Sequence, residues 1–220
     1  MKLYIVGIGP GNYENMTVRA DRALGESQVI VGYPVYVDLV KDRYPDKEYL
    51  STPMTQEADS GIYGMAALIY ELLGEDPEVE AEVIPGLTAA CSGGAVLGAP
   101  LTHDFAVISL SDRLTPWEKI AARLDYAARA DLSIVLYNPK SHGRPDHLAR
   151  ACDILLKTLP ADRPCGVVRN IGREGQSKTV LTLGQLRDFD ADMFCTVFIG
   201  NAQTRVIAGN LVTPRGYRDV

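Results

Sequence analysis

Most of the chain alternates between two hydrophobic rhythms. Short apolar runs end in glycine or another turn residue. Between them lie longer stretches with apolar positions every three or four residues. The short runs have the length and flanks of buried strands, and the longer stretches have the period of amphipathic helices. In the first half, residues 3–6, 28–31 and 78–84 predict strands, and residues 15–24, 35–40, 62–73 and 88–97 predict helices. Gly25 and Gly74 stop two of these helices, since glycine adopts the left-handed closing conformation without a Cβ clash. Residues 105–110 predict a further strand. The second half then continues the rhythm with a helix from Pro116 to Arg129, a strand at 132–137 and a helix at 146–158. Strands follow at 164–169, 178–181 and 194–199, with a short helix at 185–188. Pro116 suits the first turn of its helix, where an amide has no intrahelical acceptor to lose.

Strands alternating with helices predict an α/β fold, a parallel sheet covered on both faces. One interval breaks the alternation. Between Ser51 and Gly61 the chain reads Ser-Thr-Pro-Met-Thr-Gln-Glu-Ala-Asp-Ser-Gly, where the rhythm requires an apolar strand. A sheet lacking its middle strand leaves buried amides and carbonyls unpaired, at ~1–3 kcal/mol each. The expectation is an omitted stretch, with a physical discontinuity of the chain beside Ala58 and Asp59.

Composition narrows the class. At 220 residues and 46% hydrophobic content, the chain suffices for one large domain or two small ones with their own cores. No apolar run approaches the ~18 residues that span a bilayer, and Met1-Lys2 leads straight into a strand pattern rather than a cleavable leader. The expectation is a cytoplasmic protein with no membrane partner. Cys91, Cys152, Cys165 and Cys195 are scattered, with no Cys-x-x-Cys pair, so buried free thiols are expected, and neither a disulfide framework nor a metal site. The net charge of −6 hides an asymmetry. Residues 1–112 carry 6 Lys+Arg against 17 Asp+Glu, net −11; residues 113–220 carry 16 against 11, net +5. The shift places a domain boundary near Asp112, with domains 1–112 and 113–220. A basic second half attracts an anionic ligand or merely forms a solvated surface; charge alone leaves both open. With no dense basic stripe and a pI of about 5.1, nucleic acid is not an expected partner.

Two segments carry the candidate chemistry. The first strand ends in Gly7-Ile8-Gly9-Pro10-Gly11, a loop whose backbone is free to approach a ligand. It is a poor dinucleotide fingerprint: Pro10 fills a spacer, the third glycine is missing, and the strand at 28–31 ends in Gly32-Tyr33 with no acidic residue to hold a ribose. The strand at 105–110 ends in Ser111-Asp112-Arg113, a polar trio where open α/β sheets bind ligands. Asp59-Ser60-Gly61-Ile62 reads either as a ligand loop or as an ordinary helix cap. His103 and Asp112 are candidates for proton handling, the first for its near-neutral titration, with loop and helix capping as the plain alternatives. His142 and His147 read as surface residues.

Taken together, these segments resemble the tetrapyrrole methyltransferases. The resemblance rests on Gly7-Ile-Gly-Pro-Gly11 followed by Met16-Thr17, on Asp59-Ser-Gly-Ile-Tyr-Gly-Met65, and on Pro85-Gly-Leu-Thr-Ala-Ala90. Val31-Gly-Tyr-Pro-Val-Tyr36, His103-Asp-Phe105, Ser109-Leu-Ser-Asp112, Tyr137-Asn-Pro-Lys-Ser141, Gly172-Arg-Glu-Gly175, Gly200-Asn-Ala-Gln-Thr-Arg205 and Val212-Thr-Pro-Arg-Gly-Tyr217 are similar to the branch that methylates C-17 of precorrin-3B in cobalamin synthesis. The interval between Gln56 and Asp59 departs from the family pattern by about a strand and a helix. The resemblance implies two α/β domains with S-adenosyl-L-methionine in the cleft between them. Cofactor contacts, largely through backbone, would come from Gly9, Pro10, Asp59, Ser60, Gly61, Ile62, Thr88, Ala89, Tyr137, Asn138, Ile171, Cys195 and Thr196. Arg113, Lys140, Arg144 and Arg173 would meet the carboxylates of a tetrapyrrole substrate. The family also implies ring contraction and a homodimer. The competing readings are methylation at another ring carbon, and a binding protein that holds a tetrapyrrole or nucleotide without turnover.

Overall fold

The first apolar run becomes β1 (Lys2–Val6), and its glycine-closed counterpart before Pro85 becomes β4 (Glu80–Ile84). A computed structural model describes residues 1–51, 65–74 and 78–216, which fall into two compact units, Met1–Thr88 and Ala89–Val220. In the first unit, β1 and β4 pair in parallel from Lys2↔Glu80 to Val6↔Ile84. A second parallel pair joins β2 (Val29–Gly32) to β3 (Glu48–Ser51). Among the described residues these two pairs are not joined into one sheet. The discontinuity expected beside Ala58 and Asp59 lies outside the described residues.

Helix α1 (Val18–Glu26) packs against both pairs. Thr17 caps it by accepting the Ala20 amide at 3.1 Å. Ala20 and Ala23 pack with Ile84, while Leu24 joins Ile30, Val40 and Tyr44. The short helix α2 (Pro34–Val37) begins on Pro34, and α3 (Met65–Leu73) precedes β4.

The second unit opens with α4 (Ala89–Leu97) and the two-residue strand β5 (Gly98–Ala99). Its sheet contains β6 (Phe105–Ser109), β7 (Ser133–Tyr137), β8 (Pro164–Arg169), β9 (Ser177–Thr182) and β10 (Cys195–Ile199), in the order β6-β7-β10-β8-β9. Three helices cover one face: α5 (Trp117–Arg129), α6 (His147–Leu155) and α7 (Leu183–Leu186). Ile120, Leu124, Ala127 and Ala128 recur at helical spacing along α5 and meet Leu148, Leu155, Leu183, Ile134, Leu136 and Val197 in one core. Each fully buried leucine there contributes ~1.5–3 kcal/mol of transfer free energy. On the other face α4 lies close to the sheet: a Cβ on Gly93 would stand 2.9 Å from the ends of Ile171 and Phe198, and one on Gly166 would stand 2.7 Å from Leu97. The strands β11 (Arg205–Ile207) and β12 (Asn210–Val212) form a hairpin, and β12 also pairs in parallel with β5.

Three expectations need correction. The sheet of the second unit is mixed, because only β6–β7 is parallel while β10 runs antiparallel to β7 and β8, and β9 to β8. The β8–β9 connection is a short loop with no helix, and a chain that turns straight back pairs antiparallel. The strand β6, assigned to the first domain from charge, pairs with β7 from Phe105↔Ser133 to Ser109↔Tyr137, so the units divide at Thr88–Ala89 rather than near Asp112. Surface charge does not report strand pairing. Of the four cysteines, Cys152, Cys165 and Cys195 are buried, but Cys91 on α4 is exposed.

Candidate functional site

In the first unit, two glycine loops meet at the carboxyl ends of a parallel pair. Gly7 follows β1 and donates its amide to Ile84 at 2.8 Å. Gly86 follows β4, and a Cβ built on it would lie 2.6 Å from the Gly7 carbonyl oxygen and 2.8 Å from the Gly9 nitrogen. Gly9 adopts φ +74°, and a Cβ there would fall 2.7 Å from the Asn15 carbonyl oxygen, so this loop is held against the turn Tyr13–Asn15. Gly11 adopts φ 130°, also outside the range that side chains favour. Pro10 sits between them, half-buried. Glycines at 7, 9 and 86 therefore let two stretches of bare backbone pack directly against one another. Asp59, Ser60, Gly61 and Ile62 lie outside the described residues.

In the second unit, the pairing directions bring the ends of β6, β7 and β8 to the same sheet edge as the start of β10. Tyr137 closes β7, and its buried hydroxyl oxygen accepts the Ala90 amide at 2.7 Å, which ties the first turn of α4 to this edge. Ala89 and, just before it, Thr88 adjoin that turn. Asn138 follows at φ 54° and donates its Nδ2 to Ser109 Oγ at 3.0 Å. Asn170, after β8, adopts φ 52°. Asparagine tolerates this left-handed conformation better than most residues, so both strands turn sharply as they leave the sheet. Ile171, 8% exposed, then reaches back under Gly93. Cys195 and Thr196, adjacent in sequence, point to opposite faces. Cys195 enters the core beneath α5 and α6, where burial pushes its thiol up to about 11, while Thr196 lies on the α4 face with Phe198.

The charged candidates occupy this same edge in different states. Arg113 is exposed. The Arg173 guanidinium lies 5.8 Å from the Phe194 ring centroid. Lys140 donates to Asp190 at 2.8 Å, and that bond holds the Asp190 carboxyl below its ordinary range. Arg144 is buried at 7% exposure, and it donates to Ser141 Oγ at 3.1 Å and to Ser111 Oγ. Asp112, with its side chain 36% exposed, lies 3.1 Å from the Nε2 of His147, which is buried. Burial works to raise the Asp112 carboxyl, but the contact and charge of His147, with a smaller part from Arg144, outweigh it and hold the group below the usual range. His103 is exposed and stands apart from this group: its Nε2 is 3.1 Å from the Pro214 carbonyl, where Thr102 and Thr213 also join the two segments.

The family model for tetrapyrrole (corrin/porphyrin) methylases matches residues 2–60 and 54–187. The chain belongs to this family. It is 42% identical to a probable cobalt-factor III C(17)-methyltransferase of Salmonella typhimurium, over 98% of this chain and 99% of that one. That alignment spans 238 positions although the chain has 220 residues, so the relative carries positions with no counterpart here. The crystal structure of the methyltransferase CobJ superposes with a TM-score of 0.81 at 31% identity, covering 97% of this chain and 99% of the other. A uroporphyrin-III C-methyltransferase of Thermus thermophilus, solved with S-adenosylhomocysteine, shares the fold at 20% identity, with a TM-score of 0.74 and coverage of 91% and 97%.

The methylase fold expected from the sequence is therefore the fold of this chain. Its residues fit a methyl donor of the S-adenosylmethionine kind through bare backbone: Gly7, Gly9 and Gly86 carry no side chains to screen their amides and carbonyls, and the two loops pack so closely that a Cβ on Gly86 would meet the backbone of Gly7 and Gly9. The structure gathers Ala89, Tyr137, Asn138, Ile171 and Thr196 at one strand edge with Asp112, Lys140 and Arg144. Sequence reasoning missed two participants. His147 was read as a surface residue, yet it is 4% exposed; its Asp112 partner lies 35 positions earlier, and no local pattern links them. Ser109 was legible as part of the 105–110 strand and of the Ser109-Leu-Ser-Asp112 motif, but not as a partner of Asn138, which its hydroxyl receives.

Proposed function

We propose that this methylase transfers a methyl group from S-adenosyl-L-methionine to C-17 of a precorrin-3B-type tetrapyrrole, cobalt-bearing or cobalt-free, with ring contraction, in cobalamin synthesis. The observation that carries the reading is the 42% identity, across nearly the whole of both chains, to the Salmonella C(17)-methyltransferase. When bound, the cofactor supplies a methyl group on a positively charged sulfur. Catalysis of such a transfer consists mainly of holding donor and acceptor in line.

Gly9 and Pro10 offer backbone to the cofactor, and Gly86 keeps the neighbouring loop close. Thr88 and Ala89 lie where α4 begins, and Tyr137 holds that turn in place. Asn138, Ile171, Cys195 and Thr196 complete the set, with Cys195 contributing only backbone because its side chain is in the core. Asp59, Ser60, Gly61 and Ile62 join it by resemblance. Arg113 and Arg173, at the sheet edge, meet substrate carboxylates. Lys140 takes part by exchanging Asp190 for a substrate carboxylate, and Arg144 supports the site from beneath. Asp112 handles a proton of the substrate, and His103 is a second candidate. The homodimer and the cytoplasmic location also belong to this proposal, on the strength of the family resemblance.

Calorimetry tests the cofactor assignment. S-Adenosylhomocysteine should bind, and NAD should give no heat. Binding of NAD with no response to S-adenosylhomocysteine would overturn the assignment.

A further inference from the structure

The loop at 110–116 carries Asp112 and Arg113 across the sheet edge outside any helix or strand. Two buried side chains hold it from below. Arg144 donates to Ser111 Oγ, and His147 reaches Asp112. His147 is the first residue of α6, yet it does not face solvent as a helix-start histidine ordinarily does. Its ring stands edge-on to Trp117, the first residue of α5, with centroids 4.9 Å apart at 72°. Arg150 stacks on the same Trp117 ring, 3.9 Å from its centroid. The starts of two helices and the ligand-edge loop thus converge on one imidazole.

Packing alone does not account for this choice of residue. The His147 Nε2 is buried, and Asp112 Oδ2 lies 3.1 Å away but off the line of a hydrogen bond. Leaving a buried ring nitrogen without an aligned partner costs ~1–3 kcal/mol, which an apolar side chain in the same place would avoid. Nδ1 meets Asp146 Oδ1 at 3.3 Å. The charged groups around the ring are therefore Asp112 from the loop, Asp146 just before its own helix, Arg144 near Asp112, and Arg150 stacked on Trp117.

We propose that His147 is a positioning residue: from within the core it holds the Asp112 carboxylate at the ligand edge of the sheet, and so sets the competence of the site for proton handling. This rests on the methyltransferase reading above, but the contact itself is testable without any substrate. His147→Gln keeps comparable bulk and removes the imidazole. Carboxyl carbon resonances of the ligand-free protein report Asp112 directly. In the native protein Asp112 should titrate below an ordinary aspartate, and in His147→Gln it should move upward. An unchanged Asp112 titration would overturn the proposal.

The second readout is turnover. His147→Gln should lower kcat for methyl transfer by ~10- to 100-fold, the scale on which misplacement of a reacting group acts, while S-adenosylhomocysteine affinity stays unchanged. Asp112→Asn removes the other partner at a half-exposed position and should lower kcat to a similar extent. The double variant should lose little more than either single one. A native kcat in folded His147→Gln, or in Asp112→Asn if the first variant does not fold, would overturn the proposal. If the native protein binds S-adenosylhomocysteine but methylates no tetrapyrrole, the functional reading fails, and the Asp112 titration alone then decides the role of His147.

Discussion

Replacing Gly86 with alanine probes the contact between the two glycine loops. The added Cβ would lie 2.6 and 2.7 Å from the Gly7 carbonyl oxygen and carbon, and 2.8 Å from the Gly9 nitrogen, where ordinary contact begins near 3.4 Å. All three obstacles are backbone, so no side chain is available to rotate away. The loops must separate by roughly 0.8 Å, the difference between those two distances. Overpacking of this kind costs ~1–3 kcal/mol. The neighbouring Gly7–Ile84 hydrogen bond, 2.8 Å long, contributes about 1 kcal/mol that is at risk. The expected loss is ~2–4 kcal/mol, of which ~1.4 kcal/mol taken from binding already weakens affinity tenfold. Calorimetric titration with S-adenosylhomocysteine should therefore show at least about a tenfold rise in Kd. Trp117, the chain's single tryptophan, lies in the other unit, so its fluorescence separates local damage from general unfolding. A Gly86→Ala protein with native S-adenosylhomocysteine affinity would refute the idea that this backbone cradle serves the cofactor.

Tyr137→Phe removes the hydroxyl that accepts the Ala90 amide; thermal melts should show a loss of about 1 kcal/mol, with weaker S-adenosylhomocysteine binding. Arg113→Ala and Arg173→Ala should raise the tetrapyrrole KM with cofactor affinity nearly unchanged, by ~1.5–3 kcal/mol for a bond formed out of water and far less at an exposed position; an unchanged KM in both would remove them from the substrate site. Asp21 is held below its ordinary range first by its bond to Arg43 and then by Tyr44, whose own hydroxyl burial pushes up to about 12. A depressed carboxyl contributes stability above its unfolded value and loses it as pH falls through the folded value. Arg43→Gln should therefore lower stability slightly near neutrality, as exposed pairs do, and the gap in urea midpoint should close on acidification; a gap that widens would refute the assignment.

The elements legible in the sequence were those whose burial is written locally. The stripe Ile120, Leu124, Ala127, Ala128 located α5, and the runs before Gly7 and Pro85 located β1 and β4 with their ends within two residues. The strands β11 and β12 have three residues each, and β11 is exposed throughout, so no alternation marks it. The mixed sheet was missed because strand direction depends on how the 170–176 loop turns, which hydrophobic period does not record. The candidate site divides in the same way. Glycine loops announce themselves, since few residues permit their φ values or their close approach. His147 does not, because burial of a helix-start histidine is decided by Trp117 and Asp112 arriving from elsewhere in the chain.

Methyl transfer itself is decided by incubating the protein with methyl-labelled S-adenosylmethionine and either cobalt-bearing or cobalt-free precorrin-3B-type substrate, then locating the label by mass spectrometry and carbon NMR. Labelled methyl at C-17 of a ring-contracted product is expected from at least one of the two substrates. Label at another ring carbon, or binding of both ligands with no transfer, would contradict it.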